Sequence, residues 1–176
     1  MEAVAQLKRR QAELSPDVPV ARNEAKQLAG KLYGKVAVIY GAGFLSGTAR
    51  RFKGQLNENS KSWAFSDLLP ELDHNSVVGY RFPEGASAKQ AQVVMLRSPL
   101  LHRRTLLRYQ VTAELLAKSG GKALFVDALG DSPLAQMMDV ITVGDFTSYY
   151  LAMLNGVDPS PVDAIDFLKK RLAERR

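Results

Sequence analysis

The chain has 176 residues, 46% of them hydrophobic and none of them cysteine, which fits one globular domain and excludes disulfides, thiolate catalysis and cysteine-bound metals. Its formal net charge of +6 is compatible with solvated basic helix faces and with a phosphorylated small molecule as partner, and an aromatic content of 8% gives nucleic acid little support. No apolar run approaches the roughly 20 residues that cross a bilayer, and no signal peptide is evident, so we expect a cytoplasmic protein without membrane contact.

Ten elements are predicted from apolar periodicity and from the positions of glycine and proline. In chain order they are helix 2–14, helix 20–32, strand 35–40, a helix from about 44 into the mid-50s, strand 62–65, strand 92–97, helix 102–118, strand 122–127, helix 132–155 and helix 161–175. Because short apolar strands alternate with helices, we expect an α/β fold, a doubly wound parallel sheet sandwich. Residues 34–176 would form this domain, and residues 1–33 a helical N-terminal segment.

The first predicted strand runs into a glycine-rich turn, VIYGAGFLSGTAR, at residues 38–50. Gly41 and Gly43 leave backbone N–H groups free to meet an anion at the start of the following helix. With Gly47, and with Asp67 further on as a ribose ligand, the loop also resembles a dinucleotide fingerprint, although its spacing is one residue longer than usual. A nicotinamide-dependent oxidoreductase and a structural tight turn are both compatible with this pattern.

Residues 55–75 combine an isolated acid, Glu58, with one of the two histidines, His74. A carboxylate and an imidazole are the side chains best suited to moving protons near neutral pH. Glu58 is expected at or just past the end of the preceding helix, where the helix dipole disfavours a carboxylate, and this placement fits a proton acceptor. The structural alternatives are an ion pair between Glu58 and Lys61 and a turn-capping role for His74.

Other kinds of chemistry have less support in the sequence. His102 stands beside two arginines at a predicted helix start, and we interpret it as a surface residue. With two histidines and no cysteine, no histidine- or cysteine-based metal site is expected, and an all-carboxylate site is the one metal alternative. No Gly-x-Ser-x-Gly elbow is present to anchor a serine nucleophile.

Four stretches together resemble one enzyme family. They are NEAKQLAGKL at 23–32, QLNENSK at 55–61, PELDHN at 70–75 and VDPSPVDAIDFLKKRL at 157–172. The family is that of the bifunctional phosphoglucose/phosphomannose isomerases, which are built from two sugar isomerase (SIS) domains with a flavodoxin-like fold. The resemblance spans nearly the whole chain and corresponds only to the C-terminal SIS domain.

The resemblance implies aldose–ketose isomerisation, in which glucose 6-phosphate or mannose 6-phosphate becomes fructose 6-phosphate through a cis-enediol, with no metal or organic cofactor. Glu58 matches the family's carboxylate base, and His74 matches the histidine that helps to open the sugar ring from across a homodimer interface. Lys169 fits the lysine that assists ring opening, although Lys170 is not separable from it. Ser160 stands where the family usually has threonine and keeps a hydroxyl for substrate binding.

The family's hydroxyl-rich phosphate loop belongs to an N-terminal SIS domain that this sequence does not contain. The glycine loop here offers Ser46 and Thr48 as a thinner substitute. We therefore expect either a part of a longer enzyme, inactive or nearly so without its N-terminal partner domain, or a stand-alone relative. A non-catalytic SIS module that binds sugar phosphates is the further alternative. Within one copy of the chain, Glu58 and His74 are not expected to meet.

Overall fold

The computed structural model of the protein describes residues 2–175 and, within them, contains six α-helices and four β-strands. In chain order these are α1 (Glu2–Glu13), α2 (Glu24–Leu32), β1 (Val36–Ala42), α3 (Ser46–Glu58), β2 (Ala64–Leu69), β3 (Ala91–Arg97), α4 (Arg103–Lys118), β4 (Ala123–Asp127), α5 (Pro133–Asn155) and α6 (Asp163–Ala173). Short 3₁₀ turns and one π-turn fill several of the connections. The ten predicted elements are confirmed, with clearly different bounds at two of them.

The predicted helix 20–32 is divided by a buried asparagine. Its first part is a single 3₁₀ turn, Val20–Arg22, and α2 starts only after Asn23. The side chain of Asn23 accepts a hydrogen bond from the backbone amide of Lys26 at 3.0 Å. Asparagine is favoured as an N-cap because its side chain satisfies an amide that the first helical turn leaves unpaired.

Strand β2 begins at Ala64 and continues to Leu69, whereas the sequence predicted a strand that ends at residue 65. Its second half contains Ser66 and Asp67, so no apolar run marks this part of the strand. Polar residues are tolerated here because β2 lies at the edge of the sheet, where one side of the strand is open to water.

The four strands form one parallel sheet in the order β2-β1-β3-β4. From β1 the chain moves to one side of the sheet for β2 and to the other side for β3 and β4. The direction of winding therefore reverses between β1 and β3, as at the switch point of a doubly wound sheet. The prediction of a doubly wound parallel α/β sheet is confirmed.

Alternate residues of the central strands supply two separate cores. On one face of the sheet, Ile39 of β1 and Val94 of β3 are fully buried against α2, α3 and α5. On the other face, Tyr40 and Met95 pack with buried residues of α4. Helices α1 and α2 pack against α5. Within residues 2–175, none of the helices has both the length and the apolar character needed to span a membrane.

Candidate active site

Glu58 is the last residue of α3, which runs from the carboxyl edge of the sheet to its amino edge, just before β2. It is exposed and lines a groove of about 700 Å³ together with Asn57, Lys61 and parts of the segment 157–165. Lys61 donates a hydrogen bond to the backbone carbonyl of Glu58 at 2.7 Å. This contact leaves the carboxylate of Glu58 available to the groove, and the ion pair considered from the sequence is not formed.

Lys61 holds the far wall of the groove in place. It has a φ of +56°, a left-handed conformation that turns the chain after α3. Its ammonium group donates to the carbonyl of Pro161 at 2.6 Å and to that of Pro159 at 3.2 Å. These two contacts fix the loop that carries Ser160 next to the end of α3, so Ser160 lies in the neighbourhood of Glu58.

The loop that carries Ser160 is also stabilised by a hydrogen bond between two of its own residues. The side chain of Asp158 accepts a hydrogen bond from the backbone amide of Ser160 at 2.8 Å. Hydrogen bonds from Ser160 lower the pKa of Asp158, because they favour its ionised form. Asp158 therefore lines the groove, whereas Ser160 lies next to the groove in the same loop without lining it.

Lys169 lies on α6, the helix that follows the groove loop. The groove is lined by Ile165 in the first turns of α6, and Lys169 lies one turn further on the same side of the helix. Lys170 is rotated by about 100° around the helix axis relative to Lys169. No residue of α6 is buried, and both lysines are exposed to solvent.

His74 follows the 3₁₀ turn Glu71–Asp73, which comes directly after the carboxyl end of β2. It is exposed and ends the turn, where its backbone amide donates to the carbonyl of Glu71 at 2.9 Å, as the turn-capping alternative predicted. Within residues 2–175 its imidazole makes no hydrogen bond, so the side chain takes no part in the cap. Glu58 precedes β2 and His74 follows it, and the six residues of the strand alone separate them by roughly 17 Å. The two groups therefore do not meet within one copy of the chain, in agreement with the sequence-based expectation.

The predicted site residues are thus divided between two edges of the sheet. Glu58, Ser160 and the start of α6 lie together at the amino edge of the sheet. His74 lies at the carboxyl edge, as do Gly41 near the end of β1 and Gly43 in the turn that follows it. A site that uses all of these residues must draw on more than one copy of the chain.

Close packing at Gly41 and the backbone conformation of Gly43 explain why the segment 38–50 has glycine at these positions. A methyl group on Gly41 would lie 2.7 Å from Cβ of Ala49, and Gly43 has a φ of +53°. A methyl group on Gly47 would meet nothing within 4 Å. Asp67, the candidate ribose ligand, accepts hydrogen bonds from the hydroxyl of Ser76 and from its neighbour's backbone amide. These contacts favour the tight-turn interpretation over a dinucleotide fingerprint.

The remaining histidine and the acidic residues do not build a second site. His102 is exposed and caps α4, where its Nδ1 accepts a hydrogen bond from the backbone amide of Arg104 at 3.2 Å. The surface role predicted for it is therefore confirmed. Among residues 2–175, no group of three or more histidine, aspartate or glutamate side chains is placed to bind a metal ion.

The role of Lys61 in shaping the groove was not found from the sequence. Its two partners in the loop lie 98 and 100 residues further along the chain, so no local pattern marks the contact. The one available signal is the position of Lys61 directly after the NENS stretch, next to Glu58.

The fold places this protein in a known class. A glucose-6-phosphate isomerase like protein from Thermus thermophilus superposes on it with a TM-score of 0.77 and 25% sequence identity, covering 92% of this chain and 54% of that one. The chain therefore has a SIS-like fold, since its parallel four-stranded sheet is flanked by helices as in phosphosugar isomerase domains.

The family is narrower than this class. Residues 21–172 match the family described as bacterial phospho-glucose isomerase C-terminal SIS domain, and the chain belongs to this family. It is 40% identical to the bifunctional phosphoglucose/phosphomannose isomerase of Caldicellulosiruptor bescii, covering 90% of this chain and 47% of that protein. The enzyme of the same name from Aquifex aeolicus is 33% identical, with coverages of 90% and 49%. The chain spans about half the length of these curated relatives, and the resemblance inferred from the sequence is confirmed.

Proposed function

We propose that this chain is the C-terminal SIS domain, residues 34–176 preceded by the helical segment 1–33, of a longer two-domain enzyme. That enzyme would convert glucose 6-phosphate or mannose 6-phosphate into fructose 6-phosphate. The observation that carries the proposal is Glu58, a carboxylate at the end of α3 that lines the groove together with the loop held by Lys61. Membership of the C-terminal SIS domain family supports it.

Glu58 would act as the base that moves a proton between C1 and C2 through a cis-enediol. Its position as the last residue of α3 places the carboxylate where the helix ends at the groove. Its carboxylate is exposed at the groove and Lys61 bonds to its backbone instead, so it can approach a substrate carbon. A base placed within hydrogen-bond reach of the proton is the first requirement for general base catalysis.

The other side chains would bind the sugar and open its ring. Ser160 would donate its hydroxyl to the substrate from the groove loop, and Lys169 would assist ring opening from α6. His74 would supply its imidazole from a second copy of the chain, since it lies at the opposite end of β2 from Glu58. Gly41 and Gly43 share the carboxyl edge with His74, so their backbone N–H groups would bind the substrate that His74 reaches.

The test joins this chain to its N-terminal partner domain and measures formation of fructose 6-phosphate from each sugar phosphate. Glu58→Gln should lower the rate by roughly 10²- to 10⁴-fold, the usual cost of losing a general base. Glu114→Gln, at an exposed position on α4, is the matched control and should leave the rate unchanged. A rate within a few-fold of wild type for Glu58→Gln, with sugar phosphate still bound, would point instead to a non-catalytic binding module.

A further inference from the structure

The residue directly after Glu58 is bonded to helix α5. The side-chain amide of Asn59 donates a hydrogen bond to the hydroxyl of Ser148 at 2.8 Å, and Ser148 donates in turn to the backbone carbonyl of Asp145 at 2.8 Å. Ser148 is fully buried, so one end of the contact is shielded from solvent. The contact therefore joins the C-cap of α3 to α5 one residue past the proposed base.

A second residue of α5 bonds the chain just beyond this point. Asn155, the last residue of α5, donates to the backbone carbonyl of Ser60 at 2.9 Å and to the hydroxyl of Ser62 at 2.9 Å. Asn155 and Ser148 are seven residues apart, so they lie on the same face of the helix, about two turns from each other. Together with the bond between Asn59 and Ser148, these are the asparagine contacts, which join α5 to the end of α3.

The asparagine contacts determine the direction in which Glu58 points. Neighbouring residues of a helix point about 100° apart around its axis, so Asn59 faces α5 while the Glu58 side chain lines the groove. Glu58 is the last residue of α3, and the ends of helices fray unless other groups hold them. The asparagine contacts supply such a hold from a neighbouring helix.

The packing of α3 against α5 does not depend on the asparagine contacts. Phe52 of α3 is buried, and its ring lies so close to Gly144 of α5 that a methyl group on this glycine would approach it to 2.9 Å. Arg51 pairs with Asp145 at 2.7 Å on the exposed side of the same interface. Both contacts lie about two turns before the end of α3, so they keep the two helices together without Asn59. The effect of Asn59 is therefore local to the last turn of α3.

We propose that Asn59, supported by Ser148 and Asn155, is a positioning residue for the base Glu58. Its side chain bonds to α5 and fixes the last turn of α3, which keeps the Glu58 carboxylate within reach of the substrate carbon. The inference rests on the proposed function, since it takes Glu58 to be the base. Misplacing a catalytic group by about 1 Å can cost roughly 100-fold in rate, so a single hydrogen bond that holds the base matters for catalysis.

The activity test uses this chain joined to its N-terminal partner domain. Asn59→Ala should lower kcat by roughly 10- to 100-fold and leave KM for the sugar phosphate unchanged, because the base is misplaced while the substrate contacts are kept. Ser148→Ala removes the same hydrogen bond from the other side and should lower kcat by a similar factor. The double variant should be no slower than either single variant, since both lose one shared contact. Arg51→Met, which breaks the exposed pair between α3 and α5, is the matched control and should leave kcat unchanged.

Hydrogen exchange measured on this chain tests the contact without any turnover. The backbone amide of Asn59 bonds to the carbonyl of Gln55 at 2.8 Å, and the amide of Ser62 bonds back to the last turn of α3. Asn59→Ala and Ser148→Ala should each raise the exchange rates of the amides at positions 59 and 62 by roughly three- to tenfold, because losing a hydrogen bond promotes local opening. Arg51→Met should leave both rates unchanged.

Any of three results would overturn the inference. Exchange at positions 59 and 62 could stay unchanged in Asn59→Ala, kcat of this variant could stay at the wild-type value, or Arg51→Met could lower kcat as much as Asn59→Ala does. The proposed function is decided separately by Glu58→Gln. A wild-type rate in Glu58→Gln would refute that function, whereas a slow Glu58→Gln beside a fast Asn59→Ala would overturn only the positioning role.

Discussion

The guanidinium of Arg10 on α1 lies 2.8 Å from the carboxylate of Asp139 on α5, and both side chains are buried. Asp139 also accepts hydrogen bonds from the side chain of Gln6 at 2.7 Å and from the backbone amide of Leu129 at 3.0 Å. Burial raises the pKa of the Asp139 carboxyl, while these three groups oppose the shift. The Asp139 carboxylate therefore binds α1 and the loop after β4 to α5.

We predict that Asp139→Ala lowers the free energy of unfolding by about 1–3 kcal/mol, because it leaves the Gln6 side chain and the Leu129 amide without their acceptor. It also removes one of three carboxylates that pair with the buried Arg10, which keeps Glu13 and Glu24. Asp145→Ala is the matched control, since Asp145 joins α5 to α3 through Arg51 at 2.7 Å but is 40% exposed. An exposed pair of this kind contributes about 0–1 kcal/mol. Urea unfolding of both variants measures the two changes in the free energy of unfolding. Equal changes would contradict the role assigned to burial.

A second prediction concerns pH and the start of α5. Glu2 accepts hydrogen bonds from the hydroxyl of Ser132 at 2.6 Å and from the backbone amide of Asp131 at 2.7 Å. Chiefly the Ser132 contact lowers the pKa of Glu2 below its usual value of 4.5. A lowered acid pKa stabilises the fold above that usual value, and the stabilisation is lost as pH falls through the value in the folded protein.

Glu2→Gln should therefore lower the thermal unfolding midpoint at about pH 7, and the difference from wild type should shrink as the pH is reduced through the acid range below 4.5. The midpoint is measured by circular dichroism across that range. Glu114→Gln serves as the control and should show no such trend. A difference that stays constant with pH would mean that the charge of Glu2 does not matter.

Alanine substitutions at Gly41 in β1 and Gly47 in α3 are predicted to change the free energy of unfolding in opposite directions. Gly41→Ala should lower the free energy of unfolding by about 1–3 kcal/mol, because the new methyl group would lie 2.7 Å from Cβ of Ala49 and 3.0 Å from the carbonyl oxygen of Leu45. Gly47→Ala should raise it by about 0.4–1 kcal/mol, because the methyl group finds open space and the unfolded chain loses freedom. Denaturant unfolding of the pair tests this, and a loss at Gly47 would show that this glycine has a further role.

Lys61 offers a test of how the groove is held. Lys61→Met removes the ammonium that bonds to the carbonyls of Pro159 and Pro161. The backbone amides of Ser160 and Ile165 should then exchange with solvent roughly three- to tenfold faster, because losing hydrogen bonds of about 1 kcal/mol promotes local opening. Hydrogen exchange measured by mass spectrometry or NMR would show the change. Lys118→Met, exposed on α4, should leave these rates unaltered.

Strands and helices could be predicted here because each has its own apolar period. Val36–Ala42 is nearly continuous in apolar residues, since a central parallel strand is buried on both faces, and its type was clear from the sequence. The second half of β2 was missed because Ser66 and Asp67 are polar. Such residues are tolerated in this strand because β2 lies at the open edge of the sheet. Whether a polar residue faces water depends on which strands are neighbours, and local sequence does not contain this information.

The chemical groups of the candidate site could likewise be chosen from the sequence, because Glu58 and His74 are suited to proton transfer by their side chains alone. Their separation came from the fold. Helix α3 returns the chain to the amino edge of the sheet before β2 begins, so the strand stands between them.

The sequence by itself determined the kinds of element and the parallel α/β class, since these follow from residue types and short-range spacing. It also indicated the family, through motifs that resemble those of its members. The tertiary structure decided which of those residues share a surface. The contact of Lys61 with Pro161 spans 100 residues, and the tie of Gln6 to Asp139 spans 133. Contacts of this length depend on how the helices pack across the sheet, and packing is a property of the whole chain rather than of any segment.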